Sequence, residues 1–335
     1  MIELSGNNRH GVSRREFVGI GLGAFVAASI PLSLRRPAGI VQRTIPVMGT
    51  IARFVVVDRN TDRAQLAIDA AIAELQGVER AMTRFTDTSD IGRANLAASR
   101  EAVVVTSATA HVTREALEWA NALDGRYDPA VGAVVRLWNV KDRHEPPGDD
   151  RMALLAGRHF HRAVEVGETH GRPALRYHDA DARLDLGSIA KGFGVDRAAY
   201  ALRRHGIGKA LVVAGGDLYA IGTSTDGEPW SIGIQSPFDE REIAGTIRLE
   251  DRAVATSGTY RQFFRYRGHR YHHIMDPATA SPRETDMRSL TIEADDVMHA
   301  DAATTALFGL DDTRIEAVLS QRLPGAQLVR SIRAT

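Results

Sequence analysis

The sequence predicts an α+β fold, a single compact mixed domain with largely antiparallel sheets and flanking helices. Three observations lead there. Short β-branched runs and amphipathic helical stretches are mixed along the chain and do not alternate in a regular βαβ order. Two short apolar runs, 210–214 and 218–222, are joined by Gly215-Gly216-Asp217, which is a hairpin signal. No period of 20–50 residues and no low-complexity tract points to a repeat architecture.

The elements follow in chain order. Residues 51–57 are rich in β-branched side chains and read as a strand. Thr61-Asp62 can cap a helix running to about residue 84, because Ile68, Ile72, Leu75, Val78 and Met82 recur at three and four. Residues 85–92 read as a polar loop and 103–105 as a short strand. Thr106 or Ser107 caps a second helix to about residue 123, stopped by Asp124-Gly125. Tyr127-Asp128-Pro129 leads into the apolar segment 131–138, and the Pro- and charge-rich residues 144–150 read as an inserted loop. Residues 184–186 look like a strand end that turns at Gly187-Ser188 into a helix over 195–204, stopped by Gly206. Strands are expected at 230–234, 243–249, 253–256, 263–266, 271–275 and 289–294. A helix is expected over 300–310, and Asp312 or Thr313 opens a last one.

Composition narrows the function. Of 335 residues, 44% are hydrophobic and 25% charged, an ordinary globular balance. Lys+Arg and Asp+Glu are 42 each, so nothing points to nucleic acid. There is no cysteine, which excludes disulfides, thiolate zinc sites, a thiol nucleophile and a lipidated cysteine anchor. Near the N-terminus, Ser13-Arg14-Arg15-Glu16-Phe17 precedes an apolar, Gly- and Ala-rich run over 18–34. Adjacent arginines ahead of such a run resemble a twin-arginine export signal, and Arg35-Arg36 keeps an uncleaved anchor open. Residues 1–40 are therefore read as a targeting segment and 41–335 as the folded domain, exported to the periplasm or the outer face of the cytoplasmic membrane.

The stretch from Asp185 to Asp196 organises the rest. A strand that breaks through glycine into a helix leaves free N–H groups at the helix start, where an anion such as phosphate is favoured. Lys191 adds positive charge, and Gly187, Gly192 and Gly194 would let a ligand approach the backbone. A plain strand-to-helix connection with a solvated lysine is the competing reading. Asp301 and Thr305 lie four apart on an expected helix, so their oxygens share one face and suit a hard cation such as Mg²⁺. Alternatively Asp301 serves a helix start and Thr305 bonds back to its own helix. His272-His273 beside Asp276-Pro277 suits metal binding or acid–base work, though only one of two adjacent strand residues faces a site. The polar loop 255–260, with Ser257, could donate hydroxyls and N–H groups, or merely turn a hairpin.

Read together, eight short motifs resemble the ApbE family, the FAD:protein FMN transferases. They are Val47-Met48-Gly49-Thr50; Phe85 with the segment 89–95; Tyr127-Asp128 through Gly132 with Leu137-Trp138; 185–192 with Asp196; Gly215-Gly216-Asp217; 255–258; 273–277; and 300–308. The resemblance spans residues 44–330. It implies Mg²⁺-dependent transfer of FMN from FAD to a threonine, sometimes serine, hydroxyl of a client protein, with release of AMP. The alternatives are hydrolysis of FAD to FMN and AMP, or flavin binding without catalysis. The resemblance implies a divalent site, for Mg²⁺ or Mn²⁺, at Asp301, Thr305 and the backbone carbonyl of Ala190. It implies FAD contacts from Met48, Phe85, Asp128, Asp185, Gly187, Lys191, Ser257, His273 and Ile274. Catalysis would fall to His273, Lys191 and Asp301. Two positions depart from the family pattern: Thr259, and Ala280 where glycine is common.

Overall fold

The structure, a computed structural model, describes residues 26–28 and 39–334; the Arg14-Arg15 pair lies outside them. The central sheet has seven strands in the order β17-β16-β11-β8-β7-β3-β2. Their ranges are β2 (Ile40–Val47), β3 (Thr50–Val57), β7 (Ala210–Ala214), β8 (Asp217–Ile221), β11 (Arg252–Gly258), β16 (Met287–Ala294) and β17 (Gln327–Arg333), and every neighbouring pair is antiparallel. Both faces of the middle strands are buried, so these strands read as unbroken apolar runs. Alternation still sorts their residues. Phe54, Val56, Ala210, Val212, Tyr219 and Ala253 point to one core, while Val55, Leu211, Val213, Leu218 and Val254 point to another.

The first of these faces carries α1 (Thr61–Met82) and α6 (Ala190–Arg204), through Ile68, Leu75, Val195 and Leu202. The opposite face is covered by β9 (Trp230–Gln235) and β10 (Ile243–Leu249), with Trp230, Ile232 and Leu249 in the interface. A short strand, β1 (Val26–Ala28), extends this second sheet by pairing with β9. Those three residues lie inside the apolar run read as part of the targeting segment.

A third and larger core gathers α2 (Asp90–Ala97), α3 (Ser107–Ala122), α4 (Gly132–Trp138), α7 (Val297–Ala306) and α8 (Asp312–Arg322). It also takes in the small sheet of β4 (Val103–Val104), β5 (Val164–Thr169) and β6 (Arg172–Tyr177). Helix α6 starts in this core and runs out into the α1 core; Ala190 belongs to the former and Val195 to the latter. Helix α7 makes the same passage, since Val297 lies in the α1 core while Met298 and Ala302 do not. The two helices cross where the cores meet.

Several local readings change. Asn60, one residue earlier than expected, caps α1 by accepting the Arg63 N–H at 2.9 Å. The polar loop at 85–92 contains the cap and start of α2: Ser89 Oγ accepts the Gly92 N–H at 2.8 Å. Residues 184–186 form no strand, because only one bridge, Val131 to Arg183, ties that segment to its neighbour. Helix α6 begins at Ala190, earlier than residue 195, so Gly192 and Gly194 are helical and buried. Their small size serves packing, not ligand approach: a Cβ on Gly192 would lie 2.3 Å from the Val297 carbonyl oxygen, and one on Gly194 would lie 3.2 Å from Met48 Sδ. Ser257 sits on β11 rather than in a loop. Ala280 holds φ at 52°, a left-handed conformation that accounts for glycine being the usual residue there.

The α6–α7 crossing gives a test. Gly192→Ala should destabilise the protein by about 3 kcal/mol or more, since backbone must move to admit the methyl group. Gly208→Ala, where a Cβ would meet nothing within 4 Å, should change stability by less than about 1 kcal/mol. Equal urea midpoints for the two variants would show that the helices are not in tight contact.

Candidate active site

Four elements bring the polar residues together: the α6 N-terminus, the middle of α7, the β7–β8 turn and the end of β11. Helix α6 has no side-chain cap from its own flank, since Ile189 occupies the cap position. A carboxylate from α7 does that work: Gly192 N–H donates to Asp301 Oδ2 at 3.1 Å. The favour is returned. Asp196 on α6 accepts the first N–H groups of α7, from Val297 at 2.8 Å and Met298 at 2.9 Å. Asp301 is thus neither a cap of its own helix nor a solvated residue, because it is buried against the start of a neighbouring helix.

Lys191 enters between two carboxylates. Its Nζ lies 3.1 Å from Asp301 Oδ2 and is hydrogen-bonded to Asp217 Oδ2. Asp217 is 1% exposed and is the first residue after the Gly215-Gly216 turn, whose φ values are 61° and 114°. A side chain at Gly215 would crowd Thr50 and lie 3.2 Å from Lys191 Cδ, so the turn needs glycine both for its φ and for the lysine's passage.

The α7 face also carries hydroxyls. Ser257 Oγ, from β11, lies 2.9 Å from Thr304 Oγ1 and 3.2 Å from Thr305 Oγ1. The hydroxyl that bonds back to its own helix is that of Thr304, which donates to the Asp301 carbonyl at 2.9 Å; Thr305 points at β11. Carboxylate, hydroxyl and main-chain carbonyl oxygens are the donors a hard divalent cation takes. Among the described residues no three His, Cys, Asp or Glu side chains form a metal cluster. A cation held here would therefore complete its shell with substrate oxygens or water.

The segment before α6 supplies a second group. Asp185 accepts the Gly187 N–H at 3.0 Å and pairs with Arg84 Nε at 2.7 Å. Arg84 lies 4.3 Å over the ring of Phe85, which is 79% exposed and offers an open aromatic face beside Asp185. Ser188 Oγ is 2.8 Å from the Tyr127 hydroxyl. Tyr127 is buried, which raises its pKa, and the charges of Asp301, Asp128 and Asp185 push the same way. Met48, at φ 53°, sits at the junction of α1 and α6, its N–H donating to Glu79 at 2.6 Å.

The two histidines divide. His272 is buried; its Nε2 hydrogen donates to the Arg283 carbonyl at 2.9 Å and its Nδ1 accepts the Ile274 N–H at 3.2 Å. Burial, then the neighbouring His273, lowers its pKa to about 3 and keeps it neutral. His273 is half-buried, with Nδ1 3.4 Å from the Gln262 carbonyl. Desolvation lowers its pKa too, against the Gln262 hydrogen bond and the charge of Asp185, while Lys191 lowers it further.

Two residues named from the family resemblance sit differently from the rest. The Asp128 carboxylate is fully buried: Oδ1 accepts the Ala130 N–H at 2.8 Å, and Oδ2 accepts the His161 N–H at 3.0 Å with the His161 ring 3.1 Å away. It shapes the loop from inside and turns no oxygen outward. Ile274 buries its side chain in the large core, and its carbonyl accepts from Arg283 N–H at 2.9 Å. In the other direction, Asp217, Tyr127 and Thr304 lie in the motifs of the resemblance but received no role from the sequence, and Arg84 lies outside those motifs altogether.

The ApbE family matches residues 48–329. The chain belongs to the ApbE family. Among its relatives, a Treponema pallidum protein named FAD:protein FMN transferase is 33% identical over 296 residues, covering 83% of this chain and 81% of the relative. A Vibrio cholerae protein of the same name is 31% identical over 302 residues, covering 88% and 89%. The crystal structure of the ApbE protein from Thermotoga maritima superimposes with a TM-score of 0.78 at 26% identity, covering 88% of this chain and 97% of that one. The flavin transferase ApbE from Vibrio cholerae gives 0.75 at 28%, covering 89% and 98%. This ApbE chain shares their mixed helix-and-sheet fold with antiparallel sheets.

Reciprocal capping makes the α6–α7 pair of this ApbE protein sensitive to pH. Burial pushes the Asp196 carboxyl up to about 7 against its two N–H donors, with Asp296 pushing the same way. A raised acid binds its proton more tightly in the folded state, so its contribution is greatest at acid pH and is lost as pH rises from about 4 to 7. Burial works against the charge of His299, but Asp296 and Glu115 raise its pKa overall, and that contribution is lost above about 6.5. Melting temperatures of wild type and Asp196→Asn should therefore converge or cross between pH 4 and 7, then keep a fixed gap. A gap unchanged across that range would mean that Asp196 is ionised throughout.

Proposed function

We propose that this protein transfers FMN from FAD to a hydroxyl group of an acceptor protein and releases AMP. The carrying observation is the convergence of Lys191, the Asp301 carboxylate and the Ser257 and Thr305 hydroxyls at the α6 N-terminus. That arrangement combines the positive charge of Lys191 with hard oxygen donors at a helix start, which is what a pyrophosphate requires. The names of the relatives supply the flavin and the protein acceptor.

In this reading the FAD pyrophosphate lies over Lys191, and Asp217 holds that ammonium in place. The exposed face of Phe85 carries an aromatic ring of the substrate. The acceptor hydroxyl oxygen attacks the FMN phosphorus, a new P–O bond forms, and the bond to the AMP phosphate oxygen breaks. His273, kept neutral by desolvation, takes the hydroxyl proton and passes it to solvent. Asp301, Thr305 and the Ala190 carbonyl would hold a divalent cation, Mg²⁺ or Mn²⁺. Bound there, such an ion would supply Lewis-acid stabilisation to the pyrophosphate. The acceptor is a threonine, or a serine, on a client protein. The Arg14-Arg15 pair ahead of an apolar run supports export, which would put the reaction in the periplasm or at the outer face of the cytoplasmic membrane.

Asp301 separates the metal role from the capping role. Asp301→Ala removes the acceptor for the Gly192 N–H, a loss of about 0.5–2 kcal/mol of stability. Loss of the cation should lower AMP release from FAD by roughly a thousandfold. Thr305→Val should melt near the wild type yet release AMP more slowly, with weaker Mg²⁺ affinity. With a threonine peptide present, the wild type should yield flavinylated peptide as well as AMP. Equal release of AMP and free FMN with and without peptide, and no flavinylated product, would assign the protein to FAD hydrolysis instead.

A further inference from the structure

Arginine carries nearly all the positive charge of this chain. Of its 42 lysines and arginines only three, Lys141, Lys191 and Lys209, are lysines. One of the three stands at the centre of the site. An ammonium is a compact, strongly hydrated point charge, whereas a guanidinium is a flat fork. At position 191 the compact form has a use, because the space it enters is bounded by two carboxylates and a glycine turn. Its Nζ is bonded to Asp217 Oδ2 and lies 3.1 Å from Asp301 Oδ2. Gly215 leaves room for the stem, since a Cβ there would lie 3.2 Å from Lys191 Cδ.

Both carboxylates are buried, Asp217 at 1% and Asp301 at 4% exposure, so the ammonium acts on them with little screening by water. Asp185 makes no claim on it, because that acid pairs with Arg84 Nε at 2.7 Å. Asp301 Oδ2 receives two donors, Lys191 and the Gly192 N–H at 3.1 Å. Among the described residues no hydrogen bond reaches its Oδ1. One ammonium against two carboxylates leaves a single net negative charge in the group. A hard divalent cation is ordinarily drawn by one or two carboxylates together with substrate phosphates. Here the carboxylate of the α7 face already holds a cation that belongs to the chain.

We propose that the Lys191 ammonium is a resident counter-ion that competes with a divalent cation for Asp301 and keeps the cation site of the free protein weak. This rests on the cation reading above. Asp217 is the seat that retains the ammonium in the site while Asp301 changes partners. The exchange moves only the end of one side chain. It leaves the helix crossing as it is, because the Gly192 N–H keeps Asp301 as its acceptor.

The test measures Mn²⁺ binding to the full-length protein without FAD, from the electron paramagnetic resonance signal of the free ion. Lys191→Met alone leaves Asp217 buried without a cation, which endangers the fold. The deciding variant therefore combines Lys191→Met with Asp217→Asn. It removes one charge of each sign and leaves the net charge of the group as it was. If net charge alone set the affinity, this double variant would match the wild type. With Lys191 as competitor, it should bind Mn²⁺ roughly tenfold more tightly. Adding Asp301→Ala to the double variant should abolish that gain. Equal affinity in the wild type and the double variant, both melting as folded proteins, overturns the competition and leaves the transferase reading intact. A gain that survives Asp301→Ala places the ion elsewhere and also overturns it. Failure of every form to bind Mn²⁺, with FAD as well as without, overturns the cation site and the competition together, while flavinylation of a threonine peptide reports on transfer separately.

Discussion

The structure turns on an exchange of carboxylates between two helices. Asp301 of α7 accepts the Gly192 N–H at the start of α6, and Asp196 of α6 accepts the Val297 and Met298 N–H groups at the start of α7. Each helix thereby satisfies donors that its own flank leaves open, and each fixes the other's rotation and depth. The exchange requires close approach, which Gly192 permits by carrying no Cβ against the Val297 carbonyl. Once the pair is locked, Lys191 has one direction left, between Asp301 and Asp217. The electrostatics of the site follow from the geometry of a helix crossing.

That dependence explains what the sequence revealed and what it hid. The inner strands of the central sheet were readable as short β-branched runs separated by turn chemistry, and Gly215-Gly216 announces its hairpin plainly, whereas the two edge strands, β2 and β17, alternate with polar and charged residues and were not read. Residues 164–169 and 172–177, although paired in full register, alternate with charged side chains and gave no strand signal. The eight-residue helix behind Ser89 is short and polar, so its cap passed for a loop residue. Lys191, Asp301, Thr305 and His273 were visible as motifs. Their pairings were not, since Asp217 is 26 residues from Lys191, and Gly192 is 109 from Asp301. Only the folded chain juxtaposes them. The start of α6 was misplaced for the same reason: its glycines look like breakers until the neighbouring helix that needs them is present.

Asp128 and His272 show the opposite limit. Both lie in segments rich in polar residues and both invite a chemical role, yet each spends its hydrogen bonds on nearby backbone. A buried acid that accepts two N–H groups builds a loop, and a histidine with both nitrogens engaged has no proton to move. His273, one residue further on, differs in the side of the strand on which it falls, and that parity decides which imidazole is left half-buried and available to the proposed reaction.

The seam between the two larger cores has a consequence for partly folded chains. Ala190 packs in one core and Val195 in the other, and α7 crosses between them in the same way. Neither half of the molecule alone contains the arrangement around Lys191. A chain in which one half has frayed is therefore silent, without a weakened or altered chemistry of its own. A nucleotide seated there would rivet the halves together, because it touches groups contributed from both sides. Occupancy of the site and integrity of the whole molecule become a single quantity, read out together by any ligand that binds.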